Sequence, residues 1–387
     1  MMNIAIIGCP FRTSYGAYIE SLKTSLERST GSTVQWVASN CGCGDPIERS
    51  RDFQRRDCKY FDMPQLGEMP SPVPWKRELR FGLRYATYYL RAVRYEALSR
   101  GTQVRHLQQI LNAYGSDVAF HWLRRPSDAT RVVTVHELDL EQLAYRDRNR
   151  IYNRADAIIV HDNALKRELS GLHVSPELIH VVRHGTQIGP ADATGQREGL
   201  VFYGGHKLMS GKGIGNVLDA LAIVTSRLGA KAPRLRIHGH YGTETPPEAL
   251  ALARRSGVEE RVDWLNQISM EDMTQLYRSS LLCLLPFTGS FAGLPAGVAA
   301  ANQLPIICTR KAGLPGHLGD CGVWIDEENP VQLAARIIDL LQDETLRRDY
   351  GGRLRRHAEQ FLAWDVIARE TFEIYRSAQQ RSARMRA

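Results

Sequence analysis

The chain has 387 residues, 43% of them hydrophobic and 24% charged, with a formal net charge of +8 and a pI near 9.2. That is the composition of an ordinary soluble globular protein long enough for two domains, and no apolar run is long enough to span a bilayer. The positive balance favours anionic partners, but zinc-finger spacing, RNA-recognition signatures and basic heptads are missing, so nucleic acid is not expected among them.

Residues 3–8 read as a buried strand with no cationic segment or cleavage site, so a cytoplasmic protein without a secretory signal is expected. A loop to Gly16 follows, then helical spacing over residues 17–28 and a second strand at 33–38. Strand, loop, helix, strand opens a parallel α/β sheet. Residues 40–74 are rich in glycine, proline and charge and read as a surface excursion. Cys41, Cys43 and Cys58 lie close enough to raise a metal site, but seven cysteines without a framework spacing read more simply as reduced thiols.

Residues 75–100 form an amphipathic helix. Arg80, Arg84, Arg91 and Arg94 fall near one face, Leu79, Leu83, Leu90 and Val93 favour another, and Phe81, Tyr85, Tyr88 and Tyr89 are interleaved. Such a helix suits the surface of an anionic membrane or, equally, a solvated face packed on a sheet. Further strands are expected at 118–121, 131–134, 157–160 and 179–183, with a helix at 163–169. Residues 189–199 are polar and glycine-bearing and read as an interdomain linker.

The second half repeats the α/β rhythm. Strands are expected at 200–203, 234–238, 262–264, 282–285, 305–308 and 323–325. Helices fall between them, including 270–278 and 330–341, and a long amphipathic helix closes the chain from Trp364. Two such domains in tandem make a cleft between their strand C-terminal edges.

The most telling stretch follows the linker. Leu200, Val201, Phe202 and Tyr203 form a strand, broken by Gly204 and Gly205. Lys207, Lys212 and Gly213 follow, and then a helix begins. A polar loop with two cations at a helix N-terminus can hold a diphosphate.

Taken in order, these pieces resemble a GT-B glycosyltransferase, and more narrowly glycosyltransferase family 4. The likeness covers almost the whole chain. It rests on Lys207, Leu208, Lys212 and Gly213, where the family carries an Arg-Leu and Lys-Gly pair. It rests also on Thr134, Val135 and His136, on the run Ala155 to Val160, on His184 and Gly185, and on Trp364 and Asp365 through Tyr375. The resemblance implies two Rossmann-like parallel-sheet domains facing across a cleft. Residues 1–188, joined by the C-terminal helix 364–387, would form the acceptor side, and residues 199–363 the nucleotide-sugar side. A lysine in place of the family's arginine loses a bidentate contact. Paired glutamates that flank a Phe-Gly-Leu turn in the family are replaced by Ser290 and Val298, while Gly293 and Leu294 keep the turn. That replacement puts ribose and sugar recognition in doubt.

The resemblance implies a hexosyltransferase that moves sugar from a GDP- or UDP-sugar to a lipid-linked or polysaccharide acceptor, and the basic helix of residues 75–100 would place it peripherally on the inner face of the plasma membrane. Its expected chemistry is stabilisation of the leaving diphosphate and positioning of the acceptor hydroxyl. Donor contacts are expected from Gly16, His184, Lys207, Lys212, Ser290, Gly293 and Leu294. His136 ends an apolar strand, and the resemblance gives it a contact to the donor sugar. Glu137 or Asp139 would be the carboxylate base if the reaction inverts. No Asp-x-Asp motif is present, so no metal is expected. Two other readings stand beside this one. One is a catalytically silent GT-B protein that serves a glycan-assembly complex; the other is a sugar-nucleotide epimerase on the same fold.

Overall fold

The computed structural model describes residues 1–8, 14–39, 58–61, 74–109, 113–136, 150–190, 197–205, 208, 211–239, 244–289, 293–311 and 313–386. The chain divides into two compact units, Met1–Val182 with Trp364–Ala387, and Arg183–Ala363.

The first unit is built on seven parallel strands: β1 (Asn3–Gly8), β2 (Thr33–Ser39), β3 (Cys58–Phe61), β4 (Val104–Gln109), β5 (Thr130–Val135), β6 (Ala157–Val160) and β7 (Ile179–Val181). Their order is β3-β2-β1-β4-β5-β6-β7. Helices α1 (Ser14–Thr30), α2 (Pro74–Leu98), α3 (Ala113–Leu123), α4 (Asn163–Gly171) and the C-terminal α12 (Trp364–Arg386) cover it. A parallel sheet is buried on both faces, which is why its strands read as unbroken apolar runs. Alternate residues of β1 divide between the two faces. Ile4 and Ile6 join Tyr18, Ile19 and Leu22 of α1 and Trp364, Ile367 and Tyr375 of α12. Ala5 and Ile7 join Tyr88 and Tyr95 of α2 and Trp122 of α3.

Four expectations for this unit are corrected. Residues 118–121 lie inside helix α3, not in a strand. A four-residue apolar run reads equally well either way, and here Val118, Ala119, Trp122 and Leu123 are all buried against one core. Strand β4 was not foreseen, because Arg105, His106 and Gln108 break its apolar pattern. All three are buried, and Arg105 pairs with Glu96 and with Asp128, the latter at 2.8 Å. Strand β3 lies within the expected surface excursion and pairs with β2. Helix α1 also begins earlier than expected, so Gly16 sits in its first turn rather than in the loop before it.

In the second unit the strands are β8 (Leu200–Tyr203), β9 (Leu235–His238), β10 (Val262–Asn266), β11 (Leu282–Leu285), β12 (Ile306–Thr309) and β13 (Val323–Ile325). The parallel order is β10-β9-β8-β11-β12-β13. Its helices are α5 (Ile214–Leu228), α6 (Pro247–Arg255), α7 (Met270–Arg278), α8 (Leu294–Ala301), α9 (Leu314–Leu318), α10 (Pro330–Gln342) and α11 (Glu344–Phe361).

The division falls at Val182, earlier than the expected 188. The Val182 N–H still donates to Val160 O of the first sheet at 2.8 Å, whereas the Thr186 N–H donates to Leu362 O at 2.8 Å. Thr186 also bridges Ala363. His184 and Gly185 therefore belong to the second unit. The strand order reverses between β1 and β4 in the first sheet and between β8 and β11 in the second. At such points the connections leave in opposite directions and open a crevice at the strand C-termini.

Candidate active site

At the switch point of the second sheet, β8 ends in Gly204 and Gly205, and backbone crowds the turn. The Gly204 N–H donates to His238 O at 2.7 Å, and the Gly239 N–H to Asn266 O at 2.9 Å. A Cβ on Gly239 would fall 2.6 Å from Gly205 N and 2.8 Å from Gly205 O, so no side chain fits there. Gly213 caps α5 with φ +77°, and a Cβ on it would lie 2.4 Å from Pro286 O. The Thr288 and Gly289 N–H groups both donate to Gly211 O at 3.1 Å.

These contacts fold the loop down and carry Lys212 inward. Its side chain is only 3% exposed. The ammonium stands 4.5 Å from the Phe287 ring centre and 5.4 Å from that of Tyr203. Tyr203 closes β8 and Phe287 follows β11, so the cation is seated between the two strands that flank the reversal. Aromatic faces hold a cation without neutralising it. Lys207 lies outside the described residues.

A second helix N-terminus stands nearby in the same sheet. Gly293 and Leu294 open α8, with the Gly297 N–H donating to Gly293 O at 2.9 Å. Gly293 lies flat on the His317 imidazole, since a Cβ there would come 2.4 Å from the ring. His317 Nε2–H donates to His184 O at 3.2 Å, and His184 Nδ1–H donates to Gly185 O at 2.8 Å. His317 thus ties the turn before α8 to the segment that enters this unit. It is 1% exposed, and its role was not legible in the sequence. Val298 is buried in the core with Ala296 and Ala299. Ser290 lies outside the described residues.

In the first unit, His136 follows β5 at the C-terminal edge of the sheet, 7% exposed. Both ring nitrogens face protein partners. Nε2 is 2.9 Å from Gln108 Oε1, and Nδ1 is 3.0 Å from His161 Nε2. Tyr18 of α1 meets the His136 ring edge-on at 5.0 Å. The strand register explains the meeting. Gln108 pairs with Thr134, and Thr134 with Ile159. Two steps further along two parallel strands bring His136 beside His161. Val135-His136-Glu137 and Val160-His161-Asp162 are the same pattern at the ends of adjacent strands, and that repeat was the available signal for His161.

The chain of contacts runs on inward. His106 Nε2 lies 2.7 Å from Thr134 Oγ1 and 3.1 Å from Gln108 Nε2, and His106 Nδ1 lies 2.6 Å from the Tyr375 hydroxyl. His161 Nδ1 lies 2.9 Å from Val182 O. Burial, helped by the charge of His161, pulls the His106 pKa down to about 3. Burial lowers that of His161 too, outweighing the Val182 carbonyl and the Asp162 carboxylate that favour its charged form. Glu137 and Asp139 lie outside the described residues. Among the described residues no cluster of three or more His, Cys, Asp or Glu side chains is placed to hold a metal ion.

The two Rossmann-like parallel sheets define the GT-B class, and comparison with known proteins agrees. Residues 18–188 match the family described as Glycosyltransferase Family 4, and residues 197–343 that described as Glycosyl transferases group 1. The chain belongs to these GT-B glycosyltransferase families. It is 27% identical over 249 residues to a D-inositol 3-phosphate glycosyltransferase of Corynebacterium kroppenstedtii, covering 59% of this chain and 54% of the relative. A protein of the same name from Salinispora tropica is 30% identical over 139 residues, 35% of this chain and 29% of the relative. The matches thus span about half the length of such relatives or less. Among solved structures, sucrose-phosphate synthase of Thermosynechococcus elongatus superposes with a TM-score of 0.71 at 19% identity, over 97% of this chain and 99% of that one. Anabaena HepE, solved in complex with UDP-glucose, gives 0.68 at 17% identity, over 97% and 100%.

Proposed function

We propose that the protein transfers a hexose from a nucleotide sugar to a lipid-linked or polysaccharide acceptor, with no metal in the donor site. The observation that carries this is the buried Lys212 ammonium at the switch point of the second sheet. Cleavage of a nucleotide sugar leaves negative charge on the diphosphate and positive charge on the anomeric carbon. A cation fixed before the substrate arrives stabilises that diphosphate without reorganising. In this reading Lys207 and the N–H groups opening α8 at Gly293 and Leu294 complete the diphosphate contacts. Ser290 stands where the first family glutamate would, and His184 belongs to the same donor face. The bound UDP-glucose of the HepE relative supports a uridine nucleotide as the first donor to try.

On the first unit we assign His136 to the reacting sugar, a hydroxyl taking over the bond now made by Gln108. Gly16, in the first turn of α1, lets a ligand approach that helix end closely. Glu137 and Asp139 are the candidate bases for an inverting reaction. Calorimetric titration of the protein with UDP-glucose and GDP-mannose, followed by product NMR with a prenyl-phosphate acceptor, tests the assignment. Donor binding with turnover supports it, and no binding of either nucleotide sugar refutes it.

Val298 favours a second reading. A buried apolar side chain where the family has a carboxylate leaves the donor ribose without that partner, as in a silent GT-B protein that serves a glycan-assembly complex. Binding without turnover on any acceptor would select it.

Attachment to an anionic membrane surface through residues 75–100 belongs to the same proposal, in altered form. Arg91, expected on the exposed basic face, is buried, and Leu90, expected on the apolar face, is 52% exposed beside Tyr89. The outward surface of this helix is therefore mixed, with Arg125 stacked on Tyr89. Among the described residues no helix is long and apolar enough to cross a membrane.

A further inference from the structure

The imidazoles of His136 and His161 share one proton, and its position follows from counting. Val182 O can only accept, so His161 Nδ1 carries a hydrogen. If His161 is neutral, its Nε2 is an acceptor, and the bond to His136 must be donated by His136 Nδ1–H. His136 Nε2 is then bare, and Gln108 must turn its NH2 group toward it. The Gln108 carbonyl in turn accepts from His106 Nε2–H, and His106 Nδ1 accepts from the Tyr375 hydroxyl. In this arrangement no group is charged.

With the Gln108 amide the other way round, its carbonyl faces His136 Nε2–H at 2.9 Å. Either His136 Nδ1 then accepts and His161 carries a hydrogen on both nitrogens, or His136 carries both and His161 stays neutral. Each case places an imidazolium in the buried cluster, at 2% exposure for His161 and 7% for His136, with Tyr18 edge-on to both rings. Asp162 lies next in the sequence, but its carboxylate already accepts the Leu165 N–H at 2.8 Å, and burial outweighs its pull on His161. Burial of an ion is costly, so the neutral arrangement wins.

We propose that His161 and Gln108 are positioning residues that hold His136 in its Nδ1–H tautomer, presenting Nε2 as a hydrogen-bond acceptor to a hydroxyl of the bound sugar. The inference rests on the reading that His136 meets the reacting sugar. It adds which nitrogen does so, in which direction the bond points, and which residues decide. His161 acts through His136 and does not touch substrate. The pattern resembles the outer partners that fix metal-bound or catalytic histidines, where the bond on one nitrogen sets the chemistry of the other.

The test uses the full chain labelled with ¹⁵N-histidine at pH 7.5, with resonances assigned by loss of one signal set in His136→Gln and in His161→Gln. Long-range ¹⁵N–¹H correlation is expected to show His136 protonated at Nδ1 and bare at Nε2, with His161 neutral. A His136 Nε2–H tautomer, or a doubly protonated His161, overturns the proposal whether or not the protein is a transferase. Kinetics supply a separate arm. His161→Phe removes the acceptor and is expected to lower kcat about 10-fold or more, the effect of one lost buried hydrogen bond, while UDP affinity by calorimetry stays unchanged. His161→Gln keeps an acceptor for Nδ1–H and is expected to recover most of that loss. Equal loss in both variants, or loss in neither, overturns the positioning role. Absence of wild-type turnover removes the functional reading alone and leaves the tautomer measurement to decide.

Discussion

The Lys212 ammonium is seated 4.5 Å from the centre of the Phe287 ring. Phe287 follows the central strand β11, and Lys212 precedes the helix that leaves β8, so this contact ties the two sides of the switch point together. Gly205 makes the contact possible, because a Cβ there would come 2.6 Å from Lys212 Cε. The glycine pair after β8 thus clears space for the lysine stem as well as bending the chain.

Lys212→Met is therefore expected to keep the fold and lose the anion. The thioether fills much of the same space against Phe287, while the charge disappears. UDP affinity measured by calorimetry should fall at least about 10-fold, the equivalent of 1.4 kcal/mol. Lys212→Arg is expected to lie between the two. Unchanged UDP binding in Lys212→Met would remove this residue from the donor site.

Gly293→Ala is expected to cost about 1–3 kcal/mol of stability, because its Cβ would press on a fixed imidazole 2.4 Å away. His317 cannot swing aside without breaking its bond to His184 O. His317→Ala opens that space, so the double variant should be less damaged than the two single changes added together, with a coupling of about 0.5–3 kcal/mol. Urea unfolding of the four proteins gives the cycle. Simple additivity would show that Gly293 and His317 do not bear on each other.

Much of the second unit was legible in the sequence, since its strands are short apolar runs between clear loops, and 200–203, 282–285 and 323–325 coincide with β8, β11 and β13. The first unit was harder for a physical reason. Strand β4 is central and buried over residues 104–108, yet it carries Arg105, His106 and Gln108, whose polar groups bond to Glu96, Thr134, Tyr375 and His136. Those partners come from distant parts of the chain, so no local pattern announces them. The same holds for the candidate site. Lys212 stood out beside its strand and helix, whereas His161 and His317 act through contacts that only the fold creates.

Stability is expected to fall as the solution is acidified below pH 6.5. His106 has its pKa lowered to about 3 in the folded protein, against an ordinary value of 6.5, so between those values the unfolded chain binds the extra proton. Its contribution is complete above pH 6.5 and is lost progressively as pH falls toward 3, at up to about 1.4 kcal/mol per pH unit. His161 shifts in the same direction. Urea midpoints at pH 7.5, 6.5 and 5.5 check the slope. His106→Gln should be less stable at pH 7.5 but flatter with pH, and an equal slope in both proteins would place the sensitivity elsewhere.

Helix α12 leaves the second unit at Trp364 and completes the core of the first. Ile367, Ala368, Tyr375 and Ala378 are buried there against Tyr18, Ile19 and Leu22, and Asp365 pairs with Arg28 at 2.5 Å. The exposed ion pair adds little, so the apolar stripe carries the attachment. Ile367→Ala is accordingly expected to cost about 2–5 kcal/mol, and Arg28→Ala less than about 1 kcal/mol. The loss should be local. Hydrogen exchange in α1, β1 and β4 is expected to speed up in Ile367→Ala, while that in α5 and α10 of the second unit stays as it was. Tyr375→Phe offers the sharper probe, because it removes one hydroxyl and leaves the stripe in place. It deprives His106 Nδ1 of its donor and should destabilise the first unit by about 1–3 kcal/mol. Equal acceleration of exchange across both units would show instead that the terminal helix supports the chain as a whole.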